Sequence, residues 1–273
     1  MKVKQDGNYE LVDFNSLQEF YEYCRDTPTN ETFKHNILSS SEISPMRDVF
    51  TGTHTIEEAM ELLRNGWQDM SVTLTQRLKV TDGIMEPVMT SRNIIGVQGY
   101  QPVVPLFLNN IPTNMVSRKM QPVKQKIITL NKSIEYSGAT STGEIITESI
   151  KALMIIKKME QQNYRCNLNI VFSVSRRDDS VKRFAIRIRI KSANERLNIN
   201  KLSFPLVHPS MLRRLTFRFT EVYPNIPSDY VFDYGAPLPE NEFRRLYKGE
   251  YLLPQFIRRD VSKISTLDDL ERL

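Results

Sequence analysis

Chemistry in this chain has few places to reside. Three histidines stand at positions 35, 54 and 208, no pair of them has the helical spacing of zinc ligands, and neither His-x-x-His nor Glu-x-x-His occurs. No Gly-x-Ser-x-Gly elbow, Gly-x-x-x-x-Gly-Lys phosphate loop or kinase signature is present, which removes the familiar routes to acyl transfer and nucleotide hydrolysis. Gly96-Val97-Gln98-Gly99-Tyr100 has two glycines, without the third glycine or the strand-then-helix context of a dinucleotide fingerprint. Glu57/Glu58 and Asp178/Asp179 are adjacent carboxylates, but a helix first turn and a hairpin account for such pairs through dipole and turn preferences. The sequence therefore predicts no catalytic residue, no metal ligand set and no cofactor, and leans away from an enzyme.

What remains is positive charge. Over Lys182 to Lys191 the period is two: Phe184, Ile186, Ile188 and Ile190 point one way and Arg183, Arg187, Arg189 and Lys191 the other. Two readings fit this strand, an edge guarded by charge or a cationic ridge for phosphate. From His208 to Phe219 the pattern is that of a helix opened by Pro209, with Met211, Leu212, Leu215 and Phe219 inward and Arg213, Arg214 and Arg218 outward. These seven cations are the candidate nucleic-acid-binding residues. The net charge of +5 agrees in sign, although 32 acidic residues dilute it. Trp67, the single tryptophan, has two readings: an anchor folded back on the helix before it, or a platform for a base.

The elements that must position these groups centre on Lys126 to Ser175. Lys126-Ile127-Ile128-Thr129-Leu130 reads as a strand, and Ser141-Thr142-Gly143-Glu144 has the spacing of a capping box. Ile146, Ile150, Leu153, Ile156 and Met159 then form an apolar stripe running to about Gln162, and Tyr164 to Ser175 alternates as a second strand. This βαβ unit predicts a parallel or mixed sheet, and the short link to the cationic strand predicts an antiparallel partner. The predicted class is α/β, with a mixed sheet built around this unit. A mainly helical N-terminal region precedes it (1–81), with helices expected after Asn15 and after the capping box at Thr55. Residues Ser71 to Lys79 fit either a helix or a strand. A proline-rich arm or linker follows (82–124), its prolines excluding long helices. The core domain with a C-terminal extension occupies 125–273. No apolar run approaches the roughly 18 residues that span a bilayer, and polar residues follow Met1 to Asp6 where a signal peptide needs its apolar segment. With two isolated cysteines, Cys24 and Cys166, a soluble intracellular protein without a membrane partner is expected.

Beyond the first core strand lie Asn131, Ser133, Glu135 and the run Ser137 to Thr142, where α/β sheets place ligands. Asn131-x-Ser133 resembles a degraded Asp-x-Ser-x-Ser metal-adhesion motif of von Willebrand A domains, a likeness covering roughly residues 125 to 220. Asn131 replaces the first aspartate and Glu135 the second serine, so the site loses its leading charge. Gly66-Trp67, Gly138 to Leu153 and His208-Pro209-Ser210-Met211-Leu212-Arg213-Arg214 are similar to a family of uncharacterised bacteriophage and mobile-element proteins. That resemblance implies a phage-encoded binding or assembly protein of the host cytoplasm or virion, with phage or host proteins, DNA or RNA as partners. The alternative is a metal-dependent adhesion module or enzyme acting at 131–142.

Overall fold

The computed structural model describes residues 1–33, 50–78, 89–122, 125–136, 140–174, 182–227, 239–253, 264 and 266–272. Expectations placed on His35, on Asp178/Asp179 and on Ser137 to Ala139 lie outside the described residues. Two compact units result: Met1–Thr81 with Ile127–Leu273, and Asp82–Lys126.

The larger unit opens with strands β1 (Lys2–Asp6) and β2 (Tyr9–Phe14). They form a hairpin whose Gly7 takes the positive φ of 58° that a two-residue loop asks of its first position. The expected core unit follows the smaller unit: β6 (Lys126–Ser133), helix α5 (Thr142–Gln161) and β7 (Tyr164–Val174). Ser141 and Glu144 close the capping box as read from the sequence. Thr129, Asn131 and Glu135 meet Asn167, Asn169 and Ser173, a constant offset of 38 residues that only a parallel pair keeps. Strand β8 (Arg183–Lys191) pairs antiparallel with β7, as expected. Its other neighbour is β2, in parallel, while β9 (Tyr251–Leu253) lies parallel to β6. The order β1-β2-β8-β7-β6-β9 makes a mixed six-stranded sheet. The cationic strand is thus interior, and its reading as an edge strand is overturned: the N-terminal hairpin occupies the edge that local sequence left open.

Helices α1 (Leu17–Asp26), α2 (Ile56–Asn65) and α3 (Gln68–Leu78) share one core with the sheet, burying Phe20, Cys24, Ala59, Leu63, Leu74 and Leu78. Residues Ser71 to Leu78 are therefore helical, the choice that their short sequence did not make. On α5 the buried face is carried by Ile145, Ala152, Ile155, Ile156 and Met159, with Ile146 and Ile150 at its margin. Leu153, Ile156 and Met159 of the expected stripe are buried, and the face widens towards α6 (Ile199–Val207), where the Ser149 hydroxyl donates to the Leu206 carbonyl at 2.6 Å.

After α6 the single helix expected from His208 to Phe219 is replaced by a π-helical stretch, Met211–Thr216, continuing into α7 (Phe217–Val222). The wider winding turns every side chain from Met211 to Thr216 into buried surroundings, so Arg213 and Arg214 point inward, not outward. Helices α8 (Glu240–Leu246) and α9 (Leu267–Glu271) complete the unit. Among the described residues no helix is long and apolar enough to cross a membrane.

In the smaller unit, β3 (Met89–Gly96) pairs antiparallel with β5 (Met115–Pro122), and the two-residue β4 (Gln101–Pro102) pairs with β5 from the other side. A short helix, α4 (Val104–Leu108), lies between β4 and β5. An irregular arm was the expectation. The prolines do exclude long helices, but Pro102 and Pro122 end strands and Pro105 sits in the first turn of α4, positions that need no amide donor.

Candidate functional site

Arg183, Arg187 and Arg189 share the face of the sheet turned away from α1, α5 and α6, and each is half-buried. Arg187 forks between two carboxylates: its Nε and Nη2 donate to Asp13 at 2.8 and 2.7 Å, and its Nη1 donates to Glu250 at 2.8 and 2.9 Å. Burial opposes the guanidinium's charge, but Asp13 and then Glu250 more than offset it and raise its pKa. The Tyr247 ring closes over it at 4.8 Å. Glu250 also accepts from the Asn131 side chain at 2.8 Å, and Asn131 in turn accepts from Asn169 at 2.8 Å. A polar chain, Asp13–Arg187–Glu250–Asn131–Asn169, half-buried at its first three members and buried at the asparagines, therefore crosses the sheet. Arg183 donates to the Tyr9 hydroxyl at 3.0 Å. Lys191 is buried with Glu160 at 2.7 Å and the carbonyls of Cys166 and Ser192. Arg189 has no hydrogen-bond partner for its buried Nε among the described residues.

The second cluster lies in the helical layer, on the other side of the sheet. Arg213 donates to the carbonyls of Phe50 at 2.7 Å and Thr140 at 3.1 Å, with its guanidinium 4.1 Å from the Phe50 ring centroid. Burial lowers its pKa. Arg214 bridges the Thr53 and His54 carbonyls at 2.8 and 2.9 Å. Arg218 takes the Cys24 and Thr27 carbonyls and the Thr29 hydroxyl at the C-terminus of α1. Each of the three closes a junction between chain segments that are distant in sequence. The structure does not bring the two clusters onto one surface.

At the end of β6 the motif residues are also engaged internally. Ser133 donates to Glu135 at 3.1 Å, and Glu135 accepts from the Ser173 hydroxyl at 2.7 Å and from the Ser173 amide. Lys132 and Glu148 form a fully buried pair at 3.5 Å, where burial pulls the ammonium pKa down to about 8. Among the described residues no group of three His, Cys, Asp or Glu could hold a metal ion. Trp67 packs against the core with its amide on Ser203 Oγ at 2.9 Å and its ring edge-on to His208, the anchor arrangement. A cleft of about 600 Å³ between α1 and α2 mixes Glu57 and Glu61 with Arg25, Arg64 and Arg218. At its base burial pushes the Cys24 thiol pKa up, the reverse of what a thiolate nucleophile needs.

The surface that sequence reasoning missed is the smaller unit. None of residues 90–121 is buried, yet Leu108 is 72 % exposed, Val97 67 %, Val104 60 % and Phe107 58 %, with Ile95, Tyr100 and Met120 also above half. Val97, Val104, Phe107 and Leu108 belong to the β3–β4 turn and α4, Ile95 and Tyr100 lie next to that end of the ladder, and Met120 stands opposite Ser91 towards its far end. Gly99 makes the turn possible, because a Cβ there would lie 2.1 Å from the Val116 carbonyl oxygen. One signal was available in the sequence: from Pro87 to Ile134 there is no Asp or Glu, while Arg92, Arg118, Lys119, Lys124, Lys126 and Lys132 occur.

A family model described as a domain of unknown function (DUF7192) matches residues 2–271, and the chain belongs to that family. No curated protein and no solved structure matches it.

Proposed function

We propose that this member of the DUF7192 family is a phage-encoded binding or assembly protein, and that its working surface is the 89–122 unit carried on an α/β body. One observation carries the reading: residues 90–121 combine no buried residue with seven large apolar side chains more than half exposed. A small sheet without a core of its own gains little from folding. An apolar patch of this extent marks an interaction site. The phage origin rests on the resemblance of Gly66-Trp67, Gly138 to Leu153 and His208 to Arg214 to mobile-element proteins, and it implies the host cytoplasm or the virion as the place of action. Contact with DNA or RNA through the seven predicted cations is the weaker form of the proposal. Arg187, Lys191, Arg213, Arg214 and Arg218 are held by internal acceptors, and reaching phosphate would break those bonds.

The test compares wild-type protein with Phe107→Asp/Leu108→Asp after expression in cells producing the phage. Co-purification of a defined phage or host protein, lost in a variant that keeps its melting temperature, is the expected result. A partner retained by the variant, or salt-sensitive nucleic-acid binding lost in Arg183→Glu/Arg189→Glu, would overturn it. The metal-dependent reading has one observation in its favour: β6 lies between β7 and β9, the switch-point position where α/β sheets bind ligands. Thermal stabilisation by magnesium that disappears in Ser133→Ala would favour it, and absence of any metal response would remove it.

A further inference from the structure

We infer that the partner of the 89–122 unit is another protein presenting an apolar groove rimmed by carboxylates. This deepens the binding reading and rests on it. The argument begins with a mismatch inside the unit. In the β3–β5 ladder Arg92 lies directly opposite Lys119, and like charges in that arrangement are destabilising by a few tenths of a kcal/mol or more. Both are exposed, and neither forms an ion pair among the described residues. On the other face Arg118, also exposed, stands 5.4 Å from the Tyr100 ring centroid and opposite Asn93. Carboxylates on a partner would neutralise all three.

The apolar residues fix what lies beside those carboxylates. Arg92 and Lys119 are four ladder positions from the Gly96–Met115 end of the strands, or about 13 Å at strand rise. Beyond that end come Val97, Val104, Phe107 and Leu108, while Tyr100 lies back along the ladder beside Val116 and Arg118. A complementary site is therefore an apolar floor with acidic groups set back from it by about that distance. At roughly 100 Å² apiece the six half-exposed apolar side chains at or near that end, Met120 excepted, offer on the order of 600 Å², most of what each partner contributes to a standard interface. The outer edge of β3, which has β5 on one side and no strand on the other among the described residues, adds main-chain groups for strand addition.

Three other occupants fit less well. A second copy of residues 89–122 brings the same cations and no acid, and the whole chain is itself positive at +5. A bilayer would have to take up Gln98, Gln101, Asn109, Asn110 and Asn114, amides interleaved with the apolar tip, at the cost of desolvating groups that hydrocarbon cannot hydrogen-bond. A nucleic acid would satisfy the cations but leave Val104, Phe107 and Leu108 without apolar contacts.

The experiment selects a random-peptide library displayed on yeast against the full chain at moderate salt. In parallel, the chain is titrated with phosphatidylserine/phosphatidylcholine vesicles and with single-stranded DNA, and its self-association is followed by sedimentation. Selected peptides are expected to combine acidic with apolar residues, to bind at least tenfold more weakly to Arg92→Glu/Lys119→Glu, and to lose binding to Phe107→Asp/Leu108→Asp. Selection against the charge-reversed variant should return basic peptides. Tip-dependent peptides with no acidic bias would overturn the acidic partner and leave the binding reading standing. Tip-dependent vesicle binding, DNA binding or self-association would likewise replace the acidic protein with that occupant. A library from which nothing depends on Phe107 and Leu108, with the vesicle, DNA and sedimentation arms also unchanged by that variant, would remove both. The substituted side chains are all exposed, so unchanged circular dichroism separates lost binding from lost folding.

Discussion

Arg187→Ala should unfold the protein early without touching the surface we assign to binding. The substitution removes four charge-assisted hydrogen bonds, two to Asp13 and two to Glu250, and leaves two carboxylates facing each other without their shared cation. Severing a fully buried ion pair costs about 3 to 5 kcal/mol. Here the Arg187 side chain is 19 % exposed and its partners 29 % and 25 %, so water repays part of the loss and a cost of about 2 to 3 kcal/mol is expected. For a chain of this size that is a melting shift of roughly 4 to 10 °C. Urea titration and calorimetry at neutral pH measure it, and Arg187→Lys should fall between wild type and Arg187→Ala because an ammonium cannot fork between both carboxylates. A loss below about 0.5 kcal/mol accompanied by loss of polyanion binding would refute the reasoning and return Arg187 to the role of a phosphate contact.

Other perturbations read other parts of the same argument. Ser141→Ala opens the capping box of α5 and should cost about 1 kcal/mol in urea titration. His208 is buried between Phe204 and Trp67, with its Nδ1 accepting from the Ser210 amide. Burial lowers its pKa from 6.5 to about 4, so between those values the unfolded chain takes a proton that the native chain refuses. Stability should therefore fall as pH drops from about 6.5 towards 4, and His208→Gln should flatten that limb of the curve. Gly99→Ala should raise amide hydrogen exchange across β4 and β5 while leaving exchange in β7 and β8 unchanged, because the added Cβ meets the Val116 carbonyl.

The parts of the fold legible in sequence were those set by neighbours in the chain. The N-cap at Thr55, the capping box at Ser141, the alternation of β8 and its antiparallel pairing with β7 depend on residues a few positions apart or on one short connection. The position of β8 in the sheet was not of that kind. It is decided by β2, whose residues 9 to 14 pair with residues 183 to 188, and no local pattern records that meeting. The π-helical turn was hidden for a related reason: Met211, Leu212 and Leu215 satisfy an ordinary helical stripe equally well. Only the carbonyls of Phe50, Thr53, His54 and Thr140 reveal why two arginines turn inward.

Those buried arginines also explain why charge on its own misdirects a functional reading. A guanidinium has five donors and a long apolar stem, so it can close a junction of free carbonyls that no shorter side chain reaches. Sequence patterning registers the charge and places it in solvent. In this protein the most conspicuous cationic runs, Arg183 to Lys191 and Arg213 to Arg218, are largely engaged with Asp13, Glu250, Glu160 and backbone oxygens. Arg92, Arg118 and Lys119 look ordinary in sequence but stand exposed without an ion-pair partner among the described residues. What separates the two sets is the local supply of acceptors, and an acid-free stretch is the sequence feature that reports it. The cations able to act on a partner are those the chain has left without acids of their own, here beside the apolar side chains it leaves in water.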